Sequence, residues 1–476
     1  MEATRVEIVV LGAGPGGYAA AFYAADRGHD VLLVDRGPRL GGVCLNEGCI
    51  PSKALLHAVH TLEEAKASAQ RGIEFGEPRI HLDKLRAWKD SIIERLAGGI
   101  AGLARTRNVR VLQGRGYLEG SQLLRVETEE GQEYFQFEKA IIAVGSRPAM
   151  PPVFDLGNPR VMTSTEALSL PEIPDSLLVV GGGYIGMELG TVYAGLGSRV
   201  VVVEALPEIL ANADPDLSRP VKRRAESLFD QIRTGVRVTE MATEGKQIRV
   251  TMEVEGETLV ELYDRVLVAV GRVPNTRRLG LENTKVQLDE RGFIRVNERM
   301  QTDDPHLYAI GDVVGGAMLA HKAHREAFVA VEAIEGEASP REFVVPAVVF
   351  TDPEIAWCGL TEREAKEKGI SVQVARFPWS ASGRALTFDR QDGITKLILE
   401  PETDRVLGVG ICGVGAGELI GEGVLAVEMG ATALDLAEVV HPHPTLSETL
   451  MEAAEAHYGW ATHRAETRRS RRQEGA

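Results

Sequence analysis

Short apolar runs, glycine turns and amphipathic stretches alternate through much of the chain, the pattern of parallel strands joined by helices. Val6-Glu-Ile-Val-Val-Leu11 reads as a buried strand, Gly12-Ala-Gly14-Pro-Gly-Gly17 as a tight turn, Tyr18 to Asp26 as a helix, and Val31-Leu-Leu-Val34 as a second strand ending at Asp35. The order recurs from Ser176-Leu-Leu-Val-Val180 through Gly181-Gly-Gly183-Tyr-Ile-Gly186, a helix to Tyr193, and Val200-Val-Val-Val203 ending at Glu204. First glycine to acid is 23 residues in both copies (12 to 35, 181 to 204). Each copy has a matching return, Ala143-Val-Gly145-Ser-Arg-Pro148 and Ala269-Val-Gly271-Arg-Val-Pro274. A helical segment is expected from about Leu82 to Leu103, and the second copy lies inside the first. From about Val345 the pattern changes, and runs such as Lys396-Leu-Ile-Leu399 and Val406-Leu-Gly-Val409 predict an antiparallel sheet with helices.

Each repeated unit has the parts of a dinucleotide site. The glycines allow a tight turn, close approach to a pyrophosphate and helix packing, while the acid after the second strand takes ribose hydroxyls. A lone glycine motif is weak, but a complete unit with its acid is specific. Two units imply two dinucleotides. Tyr308-Ala-Ile-Gly311-Asp312 reads as a strand whose end brings a carboxylate to a ligand.

Cys44 and Cys49 are two of only four cysteines, in Gly41-Gly42-Val43-Cys44-Leu45-Asn46-Glu47-Gly48-Cys49-Ile50-Pro51-Ser52-Lys53. A zinc site would show a second Cys/His cluster, and none exists, so no metal is expected. A structural disulfide suits a secreted chain, whereas this one opens Met-Glu-Ala-Thr-Arg without an apolar leader. Two thiols packed as small hydrophobes is the blandest alternative. The surroundings favour a transient catalytic disulfide in a cytoplasmic protein. Gly41 and Gly42 admit a ligand close to the backbone, and Pro51 suits the first turn of a helix, whose N-terminus stabilises a thiolate. Cys358 and Cys412 stand singly and read as core thiols.

The length of 476 residues predicts about three domains. A formal charge of −16 argues against nucleic acid, and no apolar run reaches membrane-spanning length. The basic stretch Arg468-Arg469-Ser470-Arg471-Arg472 reads as a solvated terminus. In His441-Pro-His443-Pro-Thr-Leu-Ser-Glu448, His443 is the expected proton carrier, with Glu448 fixing its tautomer, and His441 reads as structural.

Together, the cysteine stretch, the doubled glycine units, Ala-Ile-Gly-Asp and His-Pro-His-Pro-Thr-Leu-Ser-Glu resemble the flavin-dependent pyridine nucleotide–disulfide oxidoreductases, in family order from Val6 to about Ala456. The likeness is strongest to the branch that oxidises dihydrolipoamide. It implies an α/β fold of two Rossmann-like domains, the NAD domain inserted in the FAD domain, with a C-terminal α+β dimerisation domain. The implied segments are 1–147 for FAD and the disulfide, 148–270 for NAD, 271–345 completing the FAD site, and 346–476 for the interface. The resemblance places FAD at Gly12, Gly14, Gly17, Asp35, Lys53, Gly116, Gly145, Ser146 and Asp312, with Met318, Leu319, Ala320 and His321 near the flavin ring. It places NAD at Gly181, Gly183, Gly186, Glu188, Glu204 and Gly271, and pairs Lys53 with Glu188. It implies a homodimer in which His443 reaches the other subunit's Cys44–Cys49 disulfide, and a substrate carried by a lipoyl-bearing protein or acyltransferase component. Cys44 is then the exchanging sulfur and Cys49 the one against the flavin.

Two residues depart from the family pattern: Asp35, where Glu is common, and Glu47, where an apolar residue is usual. A buried Glu47 would disfavour a neighbouring thiolate, whereas an exposed one would have little effect. Glu204 predicts NAD over NADP, because a carboxylate repels a 2′-phosphate; neither Arg199 nor Arg272 directly replaces it. Glutathione reductase-like enzymes favour NADP, mercuric reductases carry an extra cysteine pair, and transhydrogenases of the family lack the second cysteine. A related reductase with another disulfide substrate, a different lipoyl pathway and a non-catalytic docking subunit are the remaining alternatives.

Overall fold

In the computed structural model, which describes residues 3–337 and 342–464, the first apolar run begins two residues earlier than its pattern suggests. Strand β1 spans Thr4–Leu11, helix α1 Pro15–Asp26 and strand β2 Val31–Asp35. β1 runs parallel to β2, with Val9 opposite Leu32, and parallel to the strand Gly131–Ile142, with Leu11 opposite Ile142. Arg110–Gln113 extends the sheet beyond β2. The long strand Gly131–Ile142 has two kinds of partner. Its first half pairs antiparallel with Leu123–Thr128, and its end pairs parallel with Leu307–Ala309.

Continuous apolar runs arise because this sheet is covered on both faces. Val9, Leu11, Leu32, Val34 and Ile142 enter one core, whereas Ile8, Val10, Leu33 and Ile141 enter the other. The second core also takes Ala20 and Ala24 of α1 and Ala327 and Ala330 of the helix Ala320–Ile334. Small alanines there let the helices lie close to the sheet.

The backbone divides into two compact units, Met1–Ile173 with Leu267–Glu342, and Pro174–Val266 with Phe343–Ala476. The second unit holds parallel strands Ser176–Val180, Arg199–Glu204 and Gln231–Thr234, and the helix Tyr184–Leu196. An antiparallel meander follows at Arg237–Glu244, Gln247–Val254 and Glu257–Tyr263. The expected change of pattern is present as a five-stranded antiparallel sheet, ordered Ala347–Val349, Glu354–Gly359, Val406–Gly413, Ile394–Leu399, Gln373–Pro378. Helices Ala416–Met429, Ala433–Glu438 and Glu448–His457 accompany it. The fold is α/β, with two Rossmann-like arrangements and an α+β C-terminal part. Cys358 and Cys412 are buried core thiols, and burial pushes Cys358 up to about 12. No helix among the described residues is long and apolar enough to cross a membrane. The basic stretch Arg468–Arg472 lies outside the described residues.

Lys396 departs from its strand pattern. A lone Lys in an alternating run reads as solvent-facing, yet its side chain is 1% exposed. Its Nζ donates to Asp214 and Asp216 at 2.7 Å and to Glu362 at 2.8 Å. Arg376 joins Asp216 and Glu362. Burial alone would raise the Asp216 carboxyl, but the Lys396 and Arg376 bonds outweigh it and hold Asp216 below its ordinary 3.8. That part of the stability is therefore present above the unfolded value and is lost as pH falls through the lower folded one. Lys396→Met removes the central cation from a buried network and is expected to cost about 3–5 kcal/mol, read as a lower denaturant midpoint at neutral pH. An unchanged midpoint would show that the network does not stabilise the fold.

Candidate active site

The cysteine stretch is anchored on the first glycine turn. Helix α2, Gly42–Glu47, starts after Gly41, whose N–H donates to the Ala13 carbonyl at 2.8 Å. Gly42 has φ +57°, and a Cβ there would lie 2.6 Å from Gly14 Cα, so the two backbones touch where no side chain fits. Asn46 secures the start of α2, its amide donating to the carbonyls of Leu40 at 3.2 Å and Gly42 at 3.0 Å. Among the described residues, its buried Oδ1 has no hydrogen-bond partner.

Gly48 breaks the chain direction, and helix α3, Cys49–Ala67, follows. Cys44 therefore lies within α2, while Cys49 is the first residue of α3. Their sulfurs are 2.8 Å apart. The Cys44 thiol is pushed well up by its bond to Cys49 and by burial, with Lys53 opposing. Cys49 sits where the α3 amides favour an anion. In a reduced pair, the negative charge thus favours Cys49. Glu47 is exposed and is absent from the main influences on Cys44, the case in which its effect is expected to be small.

The two glycine units show the same geometry. A Cβ on Gly17 would lie 1.8 Å from the Gly12 carbonyl oxygen, and one on Gly186 2.0 Å from that of Gly181. Asp35 accepts the Ala13 N–H at 2.6 Å and the Gly37 N–H at 2.7 Å. Glu204 accepts the Gly182 N–H at 2.6 Å and the Leu206 N–H at 2.8 Å. The shorter Asp35 makes the same two bonds as its longer counterpart. Gly183 caps the second helix, Gly271 has φ +122°, and buried Glu188 accepts the Phe350 N–H at 3.0 Å.

A cavity of about 480 Å³ opens beside Asp35, Gly37 and Leu40. Its far wall is helix α4, Leu82–Thr106, through Glu94, Ala97, Gly98, Ala101 and Arg105. Sequence reasoning found this helix but not its role. The signal was the run of small residues, Ala97-Gly98-Gly99 and Ala101-Gly102, within an otherwise long-chained helix.

Ser146 and Asp312 are brought together, the Ser146 hydroxyl donating to Asp312. Arg272 joins them, donating to Ser146 Oγ at 2.7 Å and to its carbonyl at 2.9 Å, and lying 3.8 Å from Asp312. Arg199 pairs with Asp230 at 3.1 Å. Arg199 and Arg272 thus each have an acidic or polar partner of their own. The Gly311 N–H donates at 2.7 Å to Glu326, which Lys322 pairs. Burial pushes the Glu326 carboxyl up, against the pull of Lys322. Lys322 and Glu326 were not singled out from sequence, and Arg272 was considered only in relation to Glu204. Gly145 precedes Ser146 with φ +67°, and Gly116 lies in the strand Arg115–Gly120 opposite Val126. Met318 and Leu319 precede the helix that Ala320 and His321 open.

In the second unit, His443 is 72% exposed and its Nδ1 lies 2.8 Å from Glu448 Oε1. Glu448 Oε2 accepts the Thr445 N–H at 2.7 Å. Burial alone would raise the Glu448 carboxyl, but Thr445 and His443 hold it below the ordinary range. Nε2 then remains for proton exchange. The side chain of His441 is 4% exposed, between Glu422 and the Val439 carbonyl.

These features fit bound dinucleotides: two cradles a Cβ would fill, an acid tied to each, and a cavity beside the first. The chain matches the pyridine nucleotide-disulphide oxidoreductase family over residues 6–327 and that family's dimerisation domain over 345–454. The dihydrolipoyl dehydrogenase of Vibrio cholerae serotype O1 is 48% identical over 464 residues, spanning 96% of this chain and 97% of its own. That of Geobacillus stearothermophilus is 44% identical over 462 residues, spanning 97% and 98%. Among solved structures, LpdA of Mycobacterium tuberculosis superposes with a TM-score of 0.87 at 28% identity, covering 95% of this chain and 99% of that one. The HOCl-induced flavoprotein disulfide reductase RclA of Escherichia coli gives 0.82 at 28% identity, covering 93% and 98%. Motifs, geometry and full-length similarity agree, and the chain belongs to the pyridine nucleotide–disulphide oxidoreductases.

Proposed function

We propose that the protein oxidises dihydrolipoamide to lipoamide with NAD⁺ as acceptor, through the Cys44–Cys49 pair and FAD. The observation that carries this reading is the seating of two adjacent sulfurs on a dinucleotide turn, Gly41 bonded to Ala13. The 48% identity to a dihydrolipoyl dehydrogenase supports the substrate.

In this reading His443 Nε2 takes a proton from a substrate thiol, while Glu448 holds the ring through Nδ1. The substrate thiolate bonds to Cys44 Sγ as the Cys44–Cys49 bond breaks, leaving Cys49 as thiolate. The second substrate sulfur then displaces Cys44, which leaves as a thiol, and lipoamide is released. The chemistry FAD supplies is transfer of an electron pair from sulfur to nicotinamide, which side chains cannot perform. Gly12, Gly14, Gly17, Asp35, Lys53, Gly116, Gly145, Ser146, Asp312 and the Met318–His321 stretch hold FAD. Gly181, Gly183, Gly186, Glu188, Glu204 and Gly271 hold NAD.

The division of labour follows the chain: 1–147 for FAD and the cysteines, 148–270 for NAD, 271–345 completing the FAD site, and 346–476 for the interface. The match to a dimerisation domain supports a homodimer, as do exposed Leu425, Met429 and Val440. His443 of one copy serves the cysteine pair of the other, and the lipoyl group arrives on a separate carrier or acyltransferase component. A catalytic rather than structural disulfide suits the cytoplasm.

The first test is turnover of dihydrolipoamide with each nucleotide. NAD⁺ is expected to exceed NADP⁺ by about 10²-fold or more, because the Glu204 carboxylate meets a 2′-phosphate with like charge. Equal rates would remove Glu204 as the discriminator, and no turnover with either would sink the substrate assignment. His443→Gln is expected to lower kcat by about 10²–10⁴-fold with flavin content unchanged, and Glu448→Gln to lower it less. Wild-type turnover in His443→Gln would refute the base. Glu47→Val, at an exposed position, is expected to move the disulfide potential by less than about 10 mV in a redox titration, against the roughly 30 mV that 1.4 kcal/mol would produce. A larger change would mean that Glu47 tunes the pair after all.

A further inference from the structure

Between Glu204 and the helix Pro215–Leu228 the chain forms an arm anchored at both ends. Its near end lies on the second glycine turn. Glu204 takes the Gly182 N–H on one oxygen and the Leu206 N–H on the other, and the Leu210 N–H donates back to the Gly182 carbonyl at 2.9 Å. A Cβ on Gly182 would lie 2.8 Å from Ile209 Cγ2, so Ile209 rests directly against the turn. Ile209 and Leu210 are both buried. The arm is therefore a wall of the turn, made of one backbone bond and one apolar contact.

Leu210 has φ +51°, in the left-handed region. A leucine stays there only where its surroundings hold it. Within the arm, the Ala213 N–H donates to the Leu210 carbonyl at 2.9 Å. Further hold comes from the short helix Glu362–Lys368, in the span matched by the dimerisation domain and in the same compact unit as the arm. Arg363 donates through Nη1 to the Ala211 carbonyl and through Nη2 to the Ala213 carbonyl at 3.1 Å, its planar fork bracketing Asn212. The backbone N–H groups of Glu362 and Arg363 donate to Asp214 at 3.0 and 3.1 Å, and Lys396 reaches Asp214 at 2.7 Å. Ala213 and Asp214 are each 2% exposed, so water does not readily replace a donor lost there. Lys396 gathers the buried carboxylates, whereas the Arg363 fork grips the backbone next to Leu210.

We propose that Arg363 is a positioning residue for the NAD site: by clamping the Ala211 and Ala213 carbonyls it keeps Leu210 left-handed, and so holds Ile209 and the Leu210 N–H against the Gly181–Gly186 turn. The proposal rests on the reading of that turn as the NAD cradle. The turn then takes its shape from the dimerisation domain as well as from its own strands. Without the fork, two carbonyls lose a donor, Leu210 relaxes to negative φ, and the wall leaves the turn in most molecules. Apparent nucleotide affinity falls with the competent fraction. The cysteine pair and its own glycine turn belong to the other compact unit and keep their bonds.

The test uses the FAD-loaded protein with Arg363→Met, Arg363→Lys and a control, Ile411→Val, which weakens the C-terminal core without touching the arm. NAD⁺ binding is measured by calorimetry, beside KM and kcat, the denaturant midpoint, and the rate at which dihydrolipoamide reduces the bound flavin. Arg363→Met is expected to raise Kd and KM for NAD⁺ about tenfold, as a fall of the competent fraction to about a tenth requires. Its kcat at saturating NAD⁺ and its flavin reduction rate are expected to stay within about twofold of the parent. Arg363→Lys, which reaches one carbonyl instead of two, is expected to fall between, and Ile411→Val to keep the parent Kd at a lowered midpoint. A parent-like Kd in Arg363→Met would overturn the proposal, as would an equal loss of affinity in Ile411→Val, which would mark general loosening. Should Arg363→Met fail to fold, Arg363→Lys decides by the same comparison. A parent protein that binds no NAD⁺ would overturn the cradle reading and this proposal with it, whereas normal binding in the parent and in Arg363→Met would overturn the proposal alone.

Discussion

The backbone contact between Gly14 and Gly42 is the constraint on which the redox centre depends. A Cβ at Gly42 would lie 2.6 Å from the Gly14 Cα, so the cysteine helix rests on the nucleotide turn with no side chain between them. Because of that contact, a cysteine pair drawn from one part of the chain and a glycine cradle drawn from another occupy a single place. The bond from Gly41 to Ala13 fixes the approach, and Asp35 fixes Ala13 in turn. Moving the turn would move the sulfurs. The strands and helices of the first unit serve to hold this turn, with one core on each face of its sheet.

Carboxylates do much of the remaining positioning, and they do it in one way. Asp35 and Glu204 each spend both oxygens on backbone N–H groups, one of them in the glycine turn. Glu448 and Glu452 each divide theirs between an imidazole and a backbone N–H. A carboxylate with two fixed donors cannot rotate, and so it transmits position from the backbone to whatever it holds. The exchange of Glu for Asp at position 35 changes the length of the arm but leaves the two bonds intact.

Patterns with a short period were legible in the sequence. The strand–turn–helix–strand units could be read because sheets covered on both faces demand unbroken apolar runs, and because the glycines lie at fixed offsets from them. The change of pattern near Val345 was legible too, although the strands Ile394–Leu399 and Val406–Gly413 are buried almost throughout and do not alternate. Long-range pairings were not. Lys396 meets Asp214 across 182 residues, and Arg272 meets Ser146 across 126. A single charged residue in a strand carries no mark that distinguishes a buried partner from solvent. The small-residue face of α4 lay in view but reads equally as plain helix packing. His463 stood outside any motif, and only the helix geometry brings it to Glu452.

The order of charge in the cysteine pair follows from where the helices break. Gly48 ends one helix and begins the next, so two cysteines five positions apart occupy unlike electrostatic sites. Cys44 lies inside a short helix, its proton retained by its neighbour and by burial. Cys49 stands at the head of a helix of 19 residues, where unpaired amides favour an anion. A symmetric pair would place the charge on either sulfur. The break at Gly48 makes the pair asymmetric before any ligand arrives.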